Sequence, residues 1–330
     1  MESQLSLSRL SRRALLGATA AFAATPALAE ECRLGPAPHE QGAHVFLDMD
    51  QQELDASYTQ LTYEPLMSQI TKRLASNSEA MRARIGAPQR ESYGPSAAEG
   101  LDIYRAKRDN APIFVFIHGG AWLGGAAKDY GYPAEMFVNA GAHYIAVDFV
   151  AIKEAGGDLG VMAKQVRSAV AWVHSNAAKF GGDPAQLYVG GHSSGGHLCG
   201  VVMVTDWQKD FGLAPDIIKG GMCMSGMYEM DPVALSVRRN YVKFTDAMKD
   251  SMSAIRHIDR LHAPITVTYG TFETPDFQRQ SREFAAAVKA QGKPVRLIEA
   301  PNYAHVEMCE SLGNPYGANG RAALEMMKLG

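Results

Sequence analysis

The chain has 330 residues, of which 46% are hydrophobic and 20% are charged, and its formal net charge is −3. This composition is typical of a globular protein and excludes a disordered or fibrous chain. The small negative charge, with no basic run beyond the first residues, gives no indication of a nucleic-acid partner. The length would accommodate two average domains, but a single large α/β domain also reaches this size.

The first 29 residues have the pattern of an export signal. Arg12 and Arg13 precede an apolar run rich in Ala and Leu, which ends in Ala-Leu-Ala at residues 27–29. This pattern predicts cleavage before Glu30, and the adjacent arginines resemble a twin-arginine signal. The run is shorter than the roughly 20 apolar residues that a membrane span needs. We therefore expect a periplasmic protein without a stable membrane anchor, with an uncleaved anchor as the alternative.

Short apolar runs alternate with helical patterns through the middle and end of the chain. This alternation is typical of an α/β protein with a mostly parallel central sheet and helices on both faces. The predicted strands are Ile113–Gly120, His143–Phe149, Gln186–Gly191, Gly220–Tyr228, Pro264–Gly270 and Val295–Pro301. The apolar spacing also predicts helices over Val161–Phe180 and Phe277–Gly292.

Two segments do not fit this alternation. Approximately residues 33–95 have the pattern of helices that precede the sheet, and approximately residues 229–262 form an insertion too long for a simple crossover. Open α/β sheets bind ligands beyond the carboxyl ends of their strands. We expect both segments to cover that edge as a helical cap, and residues 30–330 to form a single domain.

A glycine-rich stretch contains the candidate nucleophile. Residues 191–195, Gly-His-Ser-Ser-Gly, fit the pattern G-x-S-x-G with Ser193 at its centre, between a predicted strand and a run that can form a helix. A serine on such a sharp strand-to-helix turn needs neighbours without a Cβ atom. The pattern predicts that Ser193 is the nucleophile, whereas Ser194 contributes its backbone N–H at the helix N-terminus.

A second glycine motif follows the first strong strand. The sequence HGGAW at residues 118–122 stands where an oxyanion loop belongs in enzymes with this serine turn. We predict that the N–H groups of Gly119 or Gly120, together with that of Ser194, stabilise a developing oxyanion.

The general base and its acid partner are predicted from chain order, which is serine, acid, histidine in this arrangement. The strand Val295–Pro301 leads into a segment that contains His305, which is the predicted base. The strand Pro264–Gly270 leads into a segment with two acids, Glu273 and Asp276. The chain order alone leaves the choice between them open.

Other histidines are predicted to have supporting roles. His118 is expected to support the oxyanion loop, and His192 and His197 flank the serine on the wrong side for proton transfer. His257 and His262 lie in the insertion, where we expect surface or packing positions.

The motifs together resemble the α/β-hydrolase superfamily, and within it the arylformamidase-like and lipase-type esterases with an HGG loop. The resemblance covers nearly all of the chain after the signal segment. It implies an α/β-hydrolase fold. The segments that carry it are ELDASYTQ (Glu53–Gln60), IHGGAW, GHSSGGHL, SGMYEMDP (Ser225–Pro232) and ETPDFQRQSREF (Glu273–Phe284).

The resemblance also assigns the acid. The family's acid-bearing segment begins with the triad acid, which corresponds to Glu273, with Asp276 as the alternative. A glutamate departs from the more common aspartate, but it reaches the same imidazole nitrogen. The family's usual Ser-Pro pair before this strand is absent from DSMSAIRHI at residues 250–258, so the end of the cap is expected to differ.

These residues imply a hydrolase that works through an acyl-enzyme, with no metal and no organic cofactor. We expect an exported carboxylesterase that acts on a small-molecule ester. The alternative is an arylformamidase or amidase that acts on anilides such as N-formylkynurenine. The third hypothesis is a non-catalytic binding protein with the same fold. A homodimer is left open.

Candidate pocket residues follow the oxyanion loop and a strand end. Trp122, Met227 and Tyr228 are predicted either to line the substrate site or to pack the cap. Arg238 and Arg239, in the insertion, are predicted either to bind a substrate carboxylate or to form a solvated face of the cap.

The cysteine pattern gives little indication of cross-links. No pair has the spacing of a zinc site. Cys199 and Cys223 lie in apolar runs and are expected to be buried thiols, whereas a Cys32–Cys309 disulfide is left open.

Overall fold

The computed structural model describes residues 35–329. The predicted signal segment and Cys32 lie outside these residues, so cleavage and the Cys32–Cys309 pairing stay predictions. The described part of the chain forms one compact unit. Within it, no helix is long and apolar enough to span a membrane.

A single eight-stranded sheet runs through the molecule in the order β1-β2-β4-β3-β5-β6-β7-β8. The pairs β1–β2 and β2–β4 are antiparallel and all other pairs are parallel. The strands are β1 Gln89–Ser92, β2 Gly100–Tyr104, β3 Ala111–Ile117, β4 His143–Val147, β5 Gly182–His192, β6 Ile218–Met224, β7 Ile265–Gly270 and β8 Val295–Ala300.

Helices cover both faces of this sheet. They are α1 Gln51–Ser57, α2 Met67–Ile85, α3 Ala134–Asn139, α4 Leu159–Asn176, α5 Ser194–Met203, α6 Trp207–Phe211, α7 Met230–Leu235, α8 Asp246–Met252, α9 Pro275–Ala290, α10 His305–Glu310 and α11 Ala318–Met326. The predicted helix Val161–Phe180 corresponds to α4 followed by a 3-10 turn, Ala177–Phe180.

The sequence prediction was right for the central strands and incomplete at the edge. All six predicted strands are present, with ends that differ by at most four residues. The first segment that was predicted as helical contains α1 and α2, but residues 89–92 form the edge strand β1 instead. Strand β1 is short and polar and alternates between half-buried and exposed residues, so it lacks the apolar run of a central strand.

Strand β3 illustrates why the central strands are continuously apolar. Its residues Ile113, Val115 and Ile117 pack into one cluster of buried side chains, whereas Phe114 and Phe116 pack into the cluster on the opposite face. Side chains alternate between the faces of a strand, and here both faces are covered. The sheet is therefore the centre of a three-layer α/β/α architecture.

The parallel part of the sheet determines where the functional loops meet. The strands β3, β5, β7 and β8 all run in the same direction within the order β3-β5-β6-β7-β8. Their carboxyl ends lead into the HGG loop, Ser193, Glu273 and His305, respectively. Four segments that are distant in sequence thus converge at one edge of the sheet.

Candidate active site

The turn between β5 and α5 holds Ser193 in a strained conformation. Its φ of 58° and ψ of −122° are unfavourable for a residue with a side chain. A Cβ atom on Gly195 would collide with the carbonyl oxygens of Ile117 and His118, and one on Gly191 would collide with that of Gly195. The glycines therefore allow the close backbone approach that this turn requires.

Three side chains form a continuous hydrogen-bonded row. The hydroxyl oxygen of Ser193 lies 2.8 Å from Nε2 of His305, and Nδ1 of His305 lies 2.8 Å from Oε2 of Glu273. All three residues are at least 94% buried. In this geometry His305 can accept the serine proton at Nε2 while its Nδ1–H stays bonded to the carboxylate.

The other oxygen of the glutamate is also held in place. Oε1 of Glu273 accepts hydrogen bonds from the hydroxyl of Ser225 at 2.6 Å and from the backbone N–H of Gly270 at 2.7 Å. These two donors determine the orientation of the carboxylate. They also partly compensate for its removal from water.

The alternative acid, Asp276, has different partners. It lies in the first turn of α9, where one carboxylate oxygen accepts from the hydroxyl of Tyr58 and from Nε2 of Gln280, and the other accepts from Nε of Arg279 at 2.6 Å. Burial and the nearby Asp276 raise the pKa of Tyr58 well above its ordinary value. The aspartate thus joins the end of α1 to α9 and has no hydrogen bond to His305 within residues 35–329.

The predicted oxyanion residues surround Ser193. Gly119 packs so closely that a Cβ atom on it would lie 2.9 Å from the carbonyl oxygen of His192, and Gly120, at φ 118°, lines the same cavity as Ser193. Ser194 is the first residue of α5, where a backbone N–H has no acceptor within the helix. Each residue is thus beside the nucleophile, and the assignment of these N–H donors stays a prediction.

The hydroxyl of Ser194 has a role that the sequence did not suggest. Its oxygen accepts a hydrogen bond of 3.2 Å from the backbone N–H of Trp122. Trp122 and its neighbour Ala121 both have left-handed φ angles, 63° and 58°. The serine hydroxyl therefore ties the strained loop after the HGG motif to the N-terminus of α5.

His118 supports the loop, in the place where the sequence predicts it. Its ring stacks on Phe149 and Tyr130 at centroid distances of 4.4 and 5.5 Å, and its Nδ1 donates to the carbonyl oxygen of Gly119 at 2.8 Å. Burial lowers the pKa of His118, so the ring stays neutral and this contact is a fixed backbone tether.

His192 and His197 are also buried and neutral. Nε2 of His192 donates to the carbonyl oxygen of His305 at 2.8 Å, and burial together with the nearby His305 lowers the pKa of His192 well below its ordinary value. His197 donates to the carbonyl oxygen of Met252 at 3.0 Å, and burial lowers its pKa to about 4. His192 therefore holds the backbone of the predicted base.

Glu64 is a further contact to the same segment that sequence reasoning missed. Its two carboxylate oxygens lie 2.9 and 3.2 Å from the backbone nitrogen of Val306, the residue after His305. The side chain is buried, and burial raises its pKa. No local pattern indicates this contact, because Glu64 and Val306 are 242 positions apart in the chain.

A cavity of about 410 Å³ opens onto the nucleophile. Its wall combines Ser193, His305 and Gly120 with residues from the segment around α1 and α2 and from the insertion. The apolar part of that wall includes Leu61, Met67, Leu74, Val237 and Val306. A small organic substrate of mainly apolar character fits such a site.

The three predicted pocket residues are in the core instead of on this wall. Trp122 packs edge-on against His197 at a centroid distance of 5.2 Å, and Tyr228 stacks on Phe284 at 4.3 Å. Met227 is fully buried in the same cluster. The structure therefore favours packing over substrate contact for these three residues, because all are buried in the core and none lines the cavity.

The two adjacent arginines have different environments. Arg239 is exposed, in agreement with a solvated face. Arg238 is 95% buried and lines the cavity, so the solvated-face reading is wrong for this residue. Among residues 35–329 no group of three or more His, Cys, Asp or Glu side chains is arranged to hold a metal ion.

Comparison with known proteins finds a formamidase and esterases that are similar to this chain. The BD-FAE family model matches residues 101–222. Kynurenine formamidase of Danio rerio is 28% identical over 80% of this chain and 92% of its own length. Esterase LipC of Mycobacterium tuberculosis is 25% identical over 66% of this chain and 59% of its own length.

Solved structures of esterases have the same fold. Esterase LipW from Mycobacterium marinum superposes with a TM-score of 0.63 at 18% identity and covers 81% of this chain and 88% of its own. An esterase from Pyrobaculum calidifontis gives a TM-score of 0.64 at 17% identity, over 81% of this chain and 94% of its own. The protein therefore has the α/β-hydrolase fold. Its similarity to a kynurenine formamidase and to esterases indicates a hydrolase that resembles the arylformamidase-like and HGG-loop carboxylesterase group.

Proposed function

We propose that the protein is an exported serine hydrolase that cleaves a carboxylic ester through an acyl-enzyme. The observation that carries this proposal is the row of two 2.8 Å hydrogen bonds from Ser193, which lines the cavity, through His305 to Glu273. Such a row makes a neutral hydroxyl nucleophilic at neutral pH.

The reaction has two halves. His305 accepts the proton of Ser193 as the hydroxyl oxygen bonds to the substrate carbonyl carbon, and Glu273 stabilises the resulting imidazolium. The N–H groups of Gly119 or Gly120 and Ser194 stabilise the oxyanion, and His305 then returns the proton to the departing alcohol. Water, deprotonated by His305, cleaves the acyl-enzyme and regenerates the serine.

A second candidate is an arylformamidase. Kynurenine formamidase of Danio rerio is similar over most of the chain, and the same site chemistry can cleave an activated amide. The predicted export signal favours the esterase, because tryptophan catabolism, in which N-formylkynurenine arises, is cytoplasmic. Substrate preference therefore separates the two candidates.

The test is a comparison of kcat/KM for phenyl acetate, 4-nitrophenyl butyrate and N-formylkynurenine under identical conditions. We expect the esters to be preferred. A kcat/KM for the formamide that exceeds those of both esters by orders of magnitude would reverse the proposal. Ser193→Ala serves as the control for background hydrolysis of each substrate.

Export rests on the pattern of residues 1–29 and predicts a periplasmic protein that begins at Glu30. N-terminal sequencing of the protein from fractionated cells tests this. Replacement of Arg12 and Arg13 together by lysine should retain the precursor in the cytoplasm if the twin-arginine route is used. A full-length chain in the membrane fraction would support the uncleaved anchor instead.

A further inference from the structure

Arg238 lies in the wall of the active-site cavity with unused hydrogen-bonding capacity. It is 95% buried in the 3-10 turn Val237–Asn240. Its Nη1 donates to the hydroxyl of Tyr241 and, at 3.4 Å, to the carbonyl oxygen of Ala121. Its Nε is buried and has no hydrogen-bond partner.

The charge of this guanidinium is also uncompensated in the described part of the chain. Within residues 35–329, Arg238 takes part in none of the salt bridges between arginine or lysine and a carboxylate. The rings of Trp122 and Tyr241 lie 5.7 and 5.9 Å from its Cζ. The faces of these rings attract a cation, but apart from the hydroxyl of Tyr241 they accept no N–H of the guanidinium and carry no negative charge. A buried guanidinium without an anion is costly, so its retention beside the nucleophile indicates an anionic ligand.

A second polar side chain in the same cavity is equally unpartnered. Gln60, in the 3-10 turn Gln60–Thr62, is 95% buried, and neither its Nε2 nor its Oε1 has a hydrogen-bond partner. It lines the cavity together with Arg238 and Ser193. Buried amides are normally hydrogen-bonded, so this one is arranged to meet a polar group of the substrate.

We propose that Arg238 and Gln60 form a subsite for a carboxylate carried by the substrate, so that the enzyme prefers anionic esters over neutral ones of the same shape. The planar donor fork of arginine matches a carboxylate, and the amide of Gln60 supplies another N–H. The apolar wall holds the body of the substrate. The inference rests on the proposed function, because it names the substrate class of that site.

A purely structural role for Arg238 makes a different prediction. The contact with the carbonyl oxygen of Ala121 also supports the strained loop after the HGG motif. Loss of that support would lower kcat for every substrate alike. Loss of a carboxylate contact would raise KM for the anionic substrate in particular.

The experiment compares matched pairs of esters at pH 7. One pair is mono-4-nitrophenyl adipate and 4-nitrophenyl hexanoate, which places the carboxylate on the acyl side. The other is 3-carboxyphenyl acetate and 3-carbamoylphenyl acetate, which places it on the alcohol side. We expect kcat/KM to favour the anion by about tenfold in at least one pair, the order of one charge-assisted hydrogen bond.

Arg238→Gln should remove this preference, mainly through KM, and Gln60→Leu should reduce it. Arg239→Gln is the matched control, because that neighbour is exposed, and it should keep the preference. Arg238→Lys retains the positive charge but lacks the planar pair of N–H donors. It tests the subsite if Arg238→Gln does not fold. Equal losses on both members of each pair, or no preference in the wild type, would overturn the subsite.

Ligand binding separates this inference from the hydrolase proposal. Calorimetry with Ser193→Ala should detect 4-phenylbutyrate but not 4-phenylbutyramide, and the added Arg238→Gln change should abolish the difference. If no ester is hydrolysed but this binding is found, the subsite stands and the proposed reaction fails. If esters are hydrolysed and both ligands bind equally, the subsite fails and the reaction stands.

Discussion

We expect the replacement of Ser193 by alanine to lower kcat on 4-nitrophenyl butyrate by about 10⁴-fold or more, the usual scale for loss of a serine nucleophile. The change removes the oxygen that lies 2.8 Å from Nε2 of His305 and leaves the rest of the row in place. Residual turnover then comes from the oxyanion donors and the cavity alone. Steady-state kinetics with purified protein measure the effect.

The adjacent serine is the matched control for this experiment. Ser194→Ala keeps the backbone N–H at the start of α5 and removes only the hydroxyl that accepts from Trp122. We expect a loss of less than about tenfold, since one neutral hydrogen bond is worth about 1 kcal/mol. Unchanged thermal unfolding of Ser193→Ala confirms that the fold is intact. Near-normal activity in that variant, or a larger loss in Ser194→Ala, would contradict the assignment of the nucleophile.

The residues predicted from sequence are those whose positions follow from local rules. Ser193 needs a preceding strand, a following helix and flanking glycines, and all of these stand within a dozen residues of it. His305 follows the last parallel strand, and parallel strands bring their carboxyl ends together. For that reason the motif and the order of the strands suffice to predict that a serine and a histidine 112 positions apart belong to one row.

The contacts that the sequence did not reveal are long-range ones between common residue types. The carboxylate of Glu64 accepts a hydrogen bond from the backbone N–H of Val306, and the hydroxyl of Ser194 accepts one from the backbone N–H of Trp122. A glutamate or a serine in these places has no spacing that indicates a partner. The different burial of Arg238 and Arg239 could not be predicted either. Neighbouring residues in a turn face different surroundings, and turns have no helical or strand periodicity that would indicate which residue is buried.

The edge of the sheet was missed for a related physical reason. Strands β1 and β2 pair in antiparallel fashion outside the parallel core, and β1 has only one half-buried face. Its four residues therefore need no apolar run, and hydrophobicity is the signal from which strands are predicted. Strands β3, β4, β6 and β7 are buried along almost their whole length and could be located to within a few residues. Strand β2 is equally buried but was not among the predicted strands.

The choice between the two acids has the second large expected effect. We expect Glu273→Gln to lower kcat by about 10³- to 10⁴-fold and Asp276→Asn to lower it by less than about tenfold. Of the two acids, Glu273 is hydrogen-bonded to His305, whereas the partners of Asp276 are Tyr58, Gln280 and Arg279. The loss of Asp276 is expected instead to reduce the free energy of unfolding by about 1–3 kcal/mol, because its buried partners lose a charged acceptor.

The geometry around Glu273 explains why even an isosteric amide is damaging. The hydroxyl of Ser225 and the N–H of Gly270 both donate to Oε1, so a glutamine would place its oxygen there and its NH₂ toward Nδ1 of His305. Nδ1 would then have to accept, the proton would sit on Nε2, and the imidazole could no longer take the proton of Ser193. Parallel measurements of kcat and of urea unfolding on both variants separate the two roles. A catalytic loss in Asp276→Asn as large as that in Glu273→Gln, with unchanged stability, would transfer the acid's role to Asp276.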